Sequence, residues 1–228
     1  MPEHLPYKLV AHRGYAGRFP ENTLEAIQEA VNMGVNHVEF DVQFTGDGVP
    51  VMLHDSTLDR THNNSSSIFN LKSEDLKSHA GLSSVEDVVV WLKENPEVIA
   101  FVELKTESIE AFGVEFCVKK LAEACAPVIS RCVFISFDGP SCGLAKPAGF
   151  VKMGWVLPRY NHITLKVAQG LNPDYLFCDA DYLPDGLEKL QEGSWEYVIY
   201  EVADKEVAKK LAQMGGGFIE SKQLDLFE

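Results

Sequence analysis

The stretch HVEFDVQFTGDGVPVMLHD, residues 37–55, gathers strand-forming residues around a strange placement of charge. In an extended chain residues i and i+2 share a face, so Glu39 and Asp41 look one way while Val38, Phe40 and Val42 look the other. Two like charges side by side are costly unless a cation sits between them. The Asp47-Gly48 pair is a turn signal, and VPVMLHD after it reads as a hairpin extension beside the strand, bringing His54 and Asp55 back toward the carboxylates.

Outward from this stretch, short apolar runs alternate with longer amphipathic ones, the pattern of repeated βα units. Strands are expected at 8–12, 37–42, 99–104, 132–136, 151–157, 175–178, 197–200 and 217–220. One helix begins at a capping-type Asn22, sets Leu24, Ile27, Ala30 and Val31 on one face and stops at Gly34. Others are expected at 84–94, 108–124, 162–169, 184–191 and 204–213, with only a weak helical pattern in DGPSCGLAKPAG (138–149). Eight parallel strands with helices between them, in little more than 200 residues, fit an α/β fold of the (β/α)8 TIM-barrel type. An open doubly wound sheet is the alternative. It lacks support, because no GxGxxG follows the first strand and the GGG at 215–217 precedes a strand, as a helix stop would.

The chain of 228 residues, 46% hydrophobic, suits one domain spanning residues 1–228. Its formal charge of −14 argues against nucleic acid or an anionic membrane surface as partner. Any anionic ligand must then be drawn in by the few basic residues inside motifs. Neither a signal-like N-terminus nor a run of about 20 apolar residues is present, so a soluble, cytoplasmic protein is expected. Cys117, Cys125, Cys132, Cys142 and Cys178 form no CxxC pair and read as buried, reduced thiols.

In a barrel the polar residues at strand ends fall on one rim: His12 and Arg13, Glu39 and Asp41, His54 and Asp55, Glu103 and Lys105. Each alone has a bland reading as a hydrogen-bonded core group or a solvated charge, and together they do not. Glu39, Asp41 and Glu103 make a hard oxygen site suited to Mg2+ or Ca2+. Arg13 and Lys105 supply positive charge around an anion. His12 and His54 are an acid and base pair for neutral pH. This combination describes phosphoryl-ester cleavage.

AHRGYAGRFPENTLEAI, VEFDVQFTGDGVPVMLHDSTLDRT and VELK resemble the glycerophosphodiester phosphodiesterases, whose hallmarks HRG, PENT, ExD, HD and ExK occur here in that order. The resemblance is dense over residues 9–61 and 102–105. It implies a TIM barrel of the PLC-like phosphodiesterase type, a divalent cation on Glu39, Asp41 and Glu103, and catalytic His12 and His54. Arg13 and Lys105 would bind phosphate, Glu21 and Asn22 would support the first loop, and Asp55 would orient its surroundings. The implied reaction is hydrolysis of a glycerophosphodiester to glycerol 3-phosphate and an alcohol. The chain departs from the family's usual WTVN with YEVA at 200–203, and from its usual TD with ES at 220–221, which leaves substrate preference open. With little insertion between His54 and Glu103 to cover the pocket, weak head-group selection is expected.

Two other functions compete. A glycoside hydrolase would leave both histidines and Lys105 idle, and Glu39 and Asp41 lie too near each other to flank a sugar. A non-catalytic phosphate-binding barrel would require a missing essential residue, and none is missing. Separately, the tail QLDLF (223–227) resembles the peptide by which bacterial proteins bind the replication sliding clamp. Docking of Leu224, Leu226 and Phe227 on the barrel is the preferred alternative.

Overall fold

The computed structural model describes residues 5–78 and 82–227. The chain runs β1 (Lys8–Ala11), α1 (Leu24–Asn32), β2 (His37–Phe44), β3 (Pro50–Met52) and α2 (Asp59–His62). It continues with α3 (Val85–Glu94), β4 (Ile99–Leu104), α4 (Thr106–Phe112), α5 (Val114–Cys125), β5 (Cys132–Ser136) and α6 (Gly139–Ala148). The last part comprises β6 (Lys152–Val156), α7 (His162–Leu171), β7 (Tyr175–Asp179), β8 (Glu196–Tyr200), α8 (Lys205–Gln213) and β9 (Phe218–Ser221). Strands β1, β2, β4, β5, β6, β7, β8 and β9 pair in parallel, and β1 meets both β9 and β2, so the sheet closes as the expected (β/α)8 barrel. Strand β3 stays outside the ring, antiparallel to β2 with Val42 opposite Met52 and Phe44 opposite Pro50.

Alternation along the strands separates two cores. Val38, Phe40 and Val42 are buried between the barrel and its helices. Inside the barrel lie Val10, Phe101, Val133, Ile135, Val156, Tyr175, Phe177, Val198 and Phe218. Phe101 is their hub: its ring stands edge-on to Tyr175, Phe177 and Phe218 with centroids 5.1, 5.2 and 6.3 Å away. Two residues farther along the same strand, and therefore on the same face, comes Glu103. The apolar plug thus forms a floor directly beneath the polar rim.

The structure revises the expected helices in three places. Thr23, not Asn22, caps α1: its side chain accepts from the Ala26 amide while Asn22 turns into the left-handed region at φ 54°. The helix expected over 108–124 is two, divided at Gly113, whose φ of 87° suits glycine and disfavours any residue with a Cβ. No helix forms over 184–191, where the backbone is spent on tertiary partners: Leu190 N–H donates to Met214, Gln191 N–H donates to the Tyr160 hydroxyl, and Gln191 C=O accepts from Tyr197. Conversely, the weakly patterned 138–149 segment holds α6, because Asp138 caps it by accepting from Ser141 N–H and Pro140 lies in the first turn, where no donor is needed.

The tail takes the docked alternative. Leu224 and Phe227 are buried, Phe227 with its ring 6.4 Å from that of Tyr7, so they are not displayed as a free clamp-binding peptide would display them. Leu226 is exposed, which corrects the expectation that all three apolar residues pack on the barrel. All five cysteines are buried. Among the described residues no helix is long and apolar enough to cross a membrane.

Candidate active site

Strand register assembles the acidic group. In the β2–β4 ladder Asp41 stands opposite Glu103 and Glu39 opposite Phe101, so Asp41 and Glu103 reach the barrel mouth side by side. The hairpin returns at the same level, since Leu53 N–H donates to the Asp41 carbonyl and the Gln43 side chain donates to the His54 carbonyl. The loop after β1 is shaped by Arg13 and Gly14 in left-handed conformations. A Cβ on Gly14 would lie 2.6 Å from the Ala26 backbone, so only glycine lets this turn close on α1.

One cleft of about 100 Å3 is lined by His12, Arg13, Glu39, Asp41, His54, Glu103 and Lys105, every catalytic, metal and phosphate candidate of the sequence reading. Ile135, Phe137, Val156, Phe177, Tyr200, Glu201 and Glu220 complete its wall. The supporting candidates lie just behind it. Asn22 donates to Asp41 Oδ2 and accepts from the Asp41 amide, both at 2.9 Å. Glu21 accepts from Arg13 Nη1 at 2.9 Å, and Asp55 Oδ1 lies 2.6 Å from His54 Nδ1.

The charges are densely compensated. Lys105 Nζ lies 2.7 Å from Glu103 and 3.3 Å from Asp41; Arg13 Nε lies 3.1 Å from Asp41. Burial alone would push the Asp41 carboxyl up, yet Lys105 and Arg13 hold it well below the usual carboxylate range. Glu39 goes the opposite way: burial and the neighbouring Asp41, Glu220 and Glu103 raise it, against one stabilising bond from the Arg13 amide. Burial also raises Glu103 despite Lys105. Lys105 stays firmly charged, because Glu103 and Asp41 outweigh the burial that opposes it. Burial, with Arg13 and Lys222 adding to it, lowers the His12 imidazole to about 3 and keeps it neutral.

Glu39, Asp41 and Glu103 offer oxygens all within 4.8 Å of one another, and Glu39 Oε1 is buried without a hydrogen-bond partner among the described residues. An acidic, oxygen-only set with an unused lone-pair donor fits a hard divalent cation.

Four neighbours escaped assignment from sequence. Arg60, inside the quoted STLDRT, bridges Asp55 and Glu21. Glu201 lies 3.6 Å from His12 Nδ1 and pairs with Lys222 at 2.6 Å. Glu220 is buried facing Glu39 and His12. Glu201 and Glu220 were visible only as departures from a family pattern; Arg60 and Lys222 gave no periodic or spacing signal. Arg13, Asn22 and Glu201 all have positive φ, between 54° and 59°. Such backbone strain, of order 1 kcal/mol or more per residue, concentrates at functional rims.

The fold and this rim define a (β/α)8 barrel with a cation-flanked acidic centre at the carboxyl ends of its strands. A family model described as the glycerophosphoryl diester phosphodiesterase family matches residues 12–124. The chain is 47% identical over 68 residues to the glycerophosphodiester phosphodiesterase 1 of Rattus norvegicus, covering 30% of this chain and 20% of that protein. It is 32% identical over 128 residues to a Bacillus altitudinis glycerophosphodiester phosphodiesterase, covering 51% of this chain and 52% of that one. The matches therefore span a fifth to about half of these relatives' lengths. In fold, the chain is similar to an Oleispira antarctica phosphodiesterase solved in complex with the product sn-glycerol-3-phosphate: TM-score 0.80, 20% identity, 95% of this chain and 93% of that one. Over residues 12–124 the chain belongs to the glycerophosphodiester phosphodiesterase family.

Proposed function

We propose that the protein hydrolyses glycerophosphodiesters to glycerol 3-phosphate and an alcohol, with a divalent cation, Mg2+ or Ca2+, held by Glu39, Asp41 and Glu103. The observation that carries this reading is the convergence of three buried carboxylates, two cationic side chains and two imidazoles on one cleft. When bound, the cation would neutralise charge on the phosphoryl oxygens and the reacting hydroxyl.

Arg13 and Lys105 hold the phosphate and stabilise the charge that grows on its oxygens during attack. The glycerol 2-hydroxyl attacks phosphorus, and neutral His12 takes its proton. His54 protonates the departing oxygen as its bond to phosphorus breaks. Asp55 suits His54 to this role, since a carboxylate 2.6 Å from Nδ1 fixes the orientation of the ring. Water then opens the resulting cyclic phosphate with the two imidazoles exchanging roles, and glycerol 3-phosphate leaves. Tyr200 and Phe137 wall the cleft, and with little insertion between His54 and Glu103 to cover it, weak head-group selection is expected. Reduced, buried cysteines suit a cytoplasmic setting.

Choline release from glycerophosphocholine tests the reading. It should need Mg2+ or Ca2+, stop with EDTA, return when the cation is restored, and be lost in His12→Ala and Glu39→Ala; full activity under chelation would overturn the cation assignment.

A further inference from the structure

The mechanism above gives Glu220 no task. This carboxylate is only 2% exposed, and its Oε1 has no hydrogen-bond partner among the described residues. Burying such a group is unfavourable unless something binds it. Two neighbours share its situation. Glu39, also 2% exposed, has its Oε1 unpartnered, and His12 lies 9% exposed beside it. Donor atoms of His12, Glu39 and Glu220 all come within 4.8 Å of one another, and all three residues line the cleft.

We propose that His12, Glu39 and Glu220 form a second cation site, sharing Glu39 with the first and taking a borderline transition ion, Zn2+ in particular. The donor set decides the ion: one imidazole nitrogen and two carboxylates suit Zn2+, whereas Mg2+ and Ca2+ prefer oxygen alone. Donors around Zn2+ sit at about 2.0–2.2 Å from the ion, so the cluster needs only a small contraction to close. The ring nitrogen for this is Nε2, which faces Glu39 at 4.0 Å. Nδ1 lies 3.6 Å from Glu201 Oε1 and has no hydrogen-bond partner among the described residues, so a slight approach on metal binding would let it donate to that carboxylate, as the outer nitrogen of a metal-bound histidine ordinarily does. A carboxylate shared between two ions would hold them about 3.5–4 Å apart. Zn2+ at this site engages His12 and removes it from proton transfer, so it slows the reaction; that consequence rests on the function proposed above, whereas the site itself does not.

Metal content and the state of His12 test the site independently of turnover. Protein is dialysed against Zn2+, bound metal is counted, and the His12 ring nitrogens are followed by 15N NMR. The wild type should hold one Zn2+ more than Glu220→Gln and Glu220→Thr, with at least a tenfold loss of affinity in both variants and a shift of the His12 Nε2 resonance only where Glu220 is intact. Thermal melting of the two variants confirms that they fold. Glu103→Gln weakens the first site alone, so it should lose Mg2+ while keeping the Zn2+-dependent His12 shift; absence of Mg2+ binding in the wild type with that shift present would break the functional reading and leave this site standing. Equal Zn2+ content in wild type and both Glu220 variants, or an unmoved His12 resonance, would overturn the proposal.

Discussion

Arg60 grips both carboxylate oxygens of Glu21, Nη1 on Oε2 and Nη2 on Oε1, each at 2.7 Å. Its Nε donates to Asp55 at 2.7 Å, and Glu21 continues to Arg13 at 2.9 Å. One side chain thereby links the loop after β1 to the segment after β3, and through Asp55 it orients His54.

Arg60→Ala should therefore act on catalysis more than on stability. The guanidinium is nearly half exposed, so its ion pairs contribute about 1 kcal/mol or less to folding. Loosened positioning of His54 and Arg13 should lower kcat/KM roughly 10- to 100-fold. Arg60→Lys should rescue little, because an ammonium cannot make the paired contact. Steady-state kinetics beside urea denaturation separate the two effects.

Asn22→Ala should destabilise the fold by about 1–3 kcal/mol, because it leaves the buried Asp41 amide without an acceptor. The left-handed φ of 54° adds to the penalty, since alanine tolerates that region less well than asparagine. Urea denaturation measures the loss.

These two residues show what could be read from sequence and what could not. Period-two alternation placed Glu39 and Asp41 on one face because a strand permits nothing else, and the turn at Asp47-Gly48 placed His54 beside them. The barrel followed from the succession of strands. Asn22 was read as a helix cap because its chemistry suits one; the structure uses the same amide to hold Asp41, a partner 19 residues away that local pattern cannot reveal. Arg60 gave no signal for the same reason, and Glu220 showed only as a departure from a family pattern, the meaning of both lying in tertiary neighbours. The segment 184–191 read as helical because its apolar spacing reflects burial of Leu190 by a loop, and spacing alone does not distinguish the two.

Phe101→Ala should cost about 3–5 kcal/mol by removing the hub of the barrel interior. Since Glu103 and Asp41 stand just above it, cation affinity should fall together with the denaturation midpoint, whereas Phe134→Ala, in the layer between barrel and helices, should lower the midpoint with less effect on the cation.

Stability should respond to the cation in a pH-dependent way. Burial, with Asp41 and Glu220 near it, raises the Glu39 carboxyl above its ordinary 4.5; burial, with Glu103 and Asp41, does the same to Glu220. A carboxyl raised on folding stabilises the protein below its unfolded pKa and loses that contribution as pH rises through the folded value. A bound divalent cation compensates the ionised form, so the rise in Tm on adding Mg2+ should grow from about pH 5 to about pH 8. Glu39→Gln should flatten this trend. A rise in Tm that is equal at both pH values, or larger at the lower one, would contradict the raised carboxyls.

The central claim, that this rim drives attack by the glycerol 2-hydroxyl with cation assistance, is tested most directly by 31P NMR of glycerophosphocholine beside its analogue lacking that hydroxyl. With Mg2+ present, the first should be converted to glycerol 3-phosphate through a cyclic phosphate and the analogue should persist. Equal cleavage of both compounds, or conversion undiminished in EDTA, would contradict it.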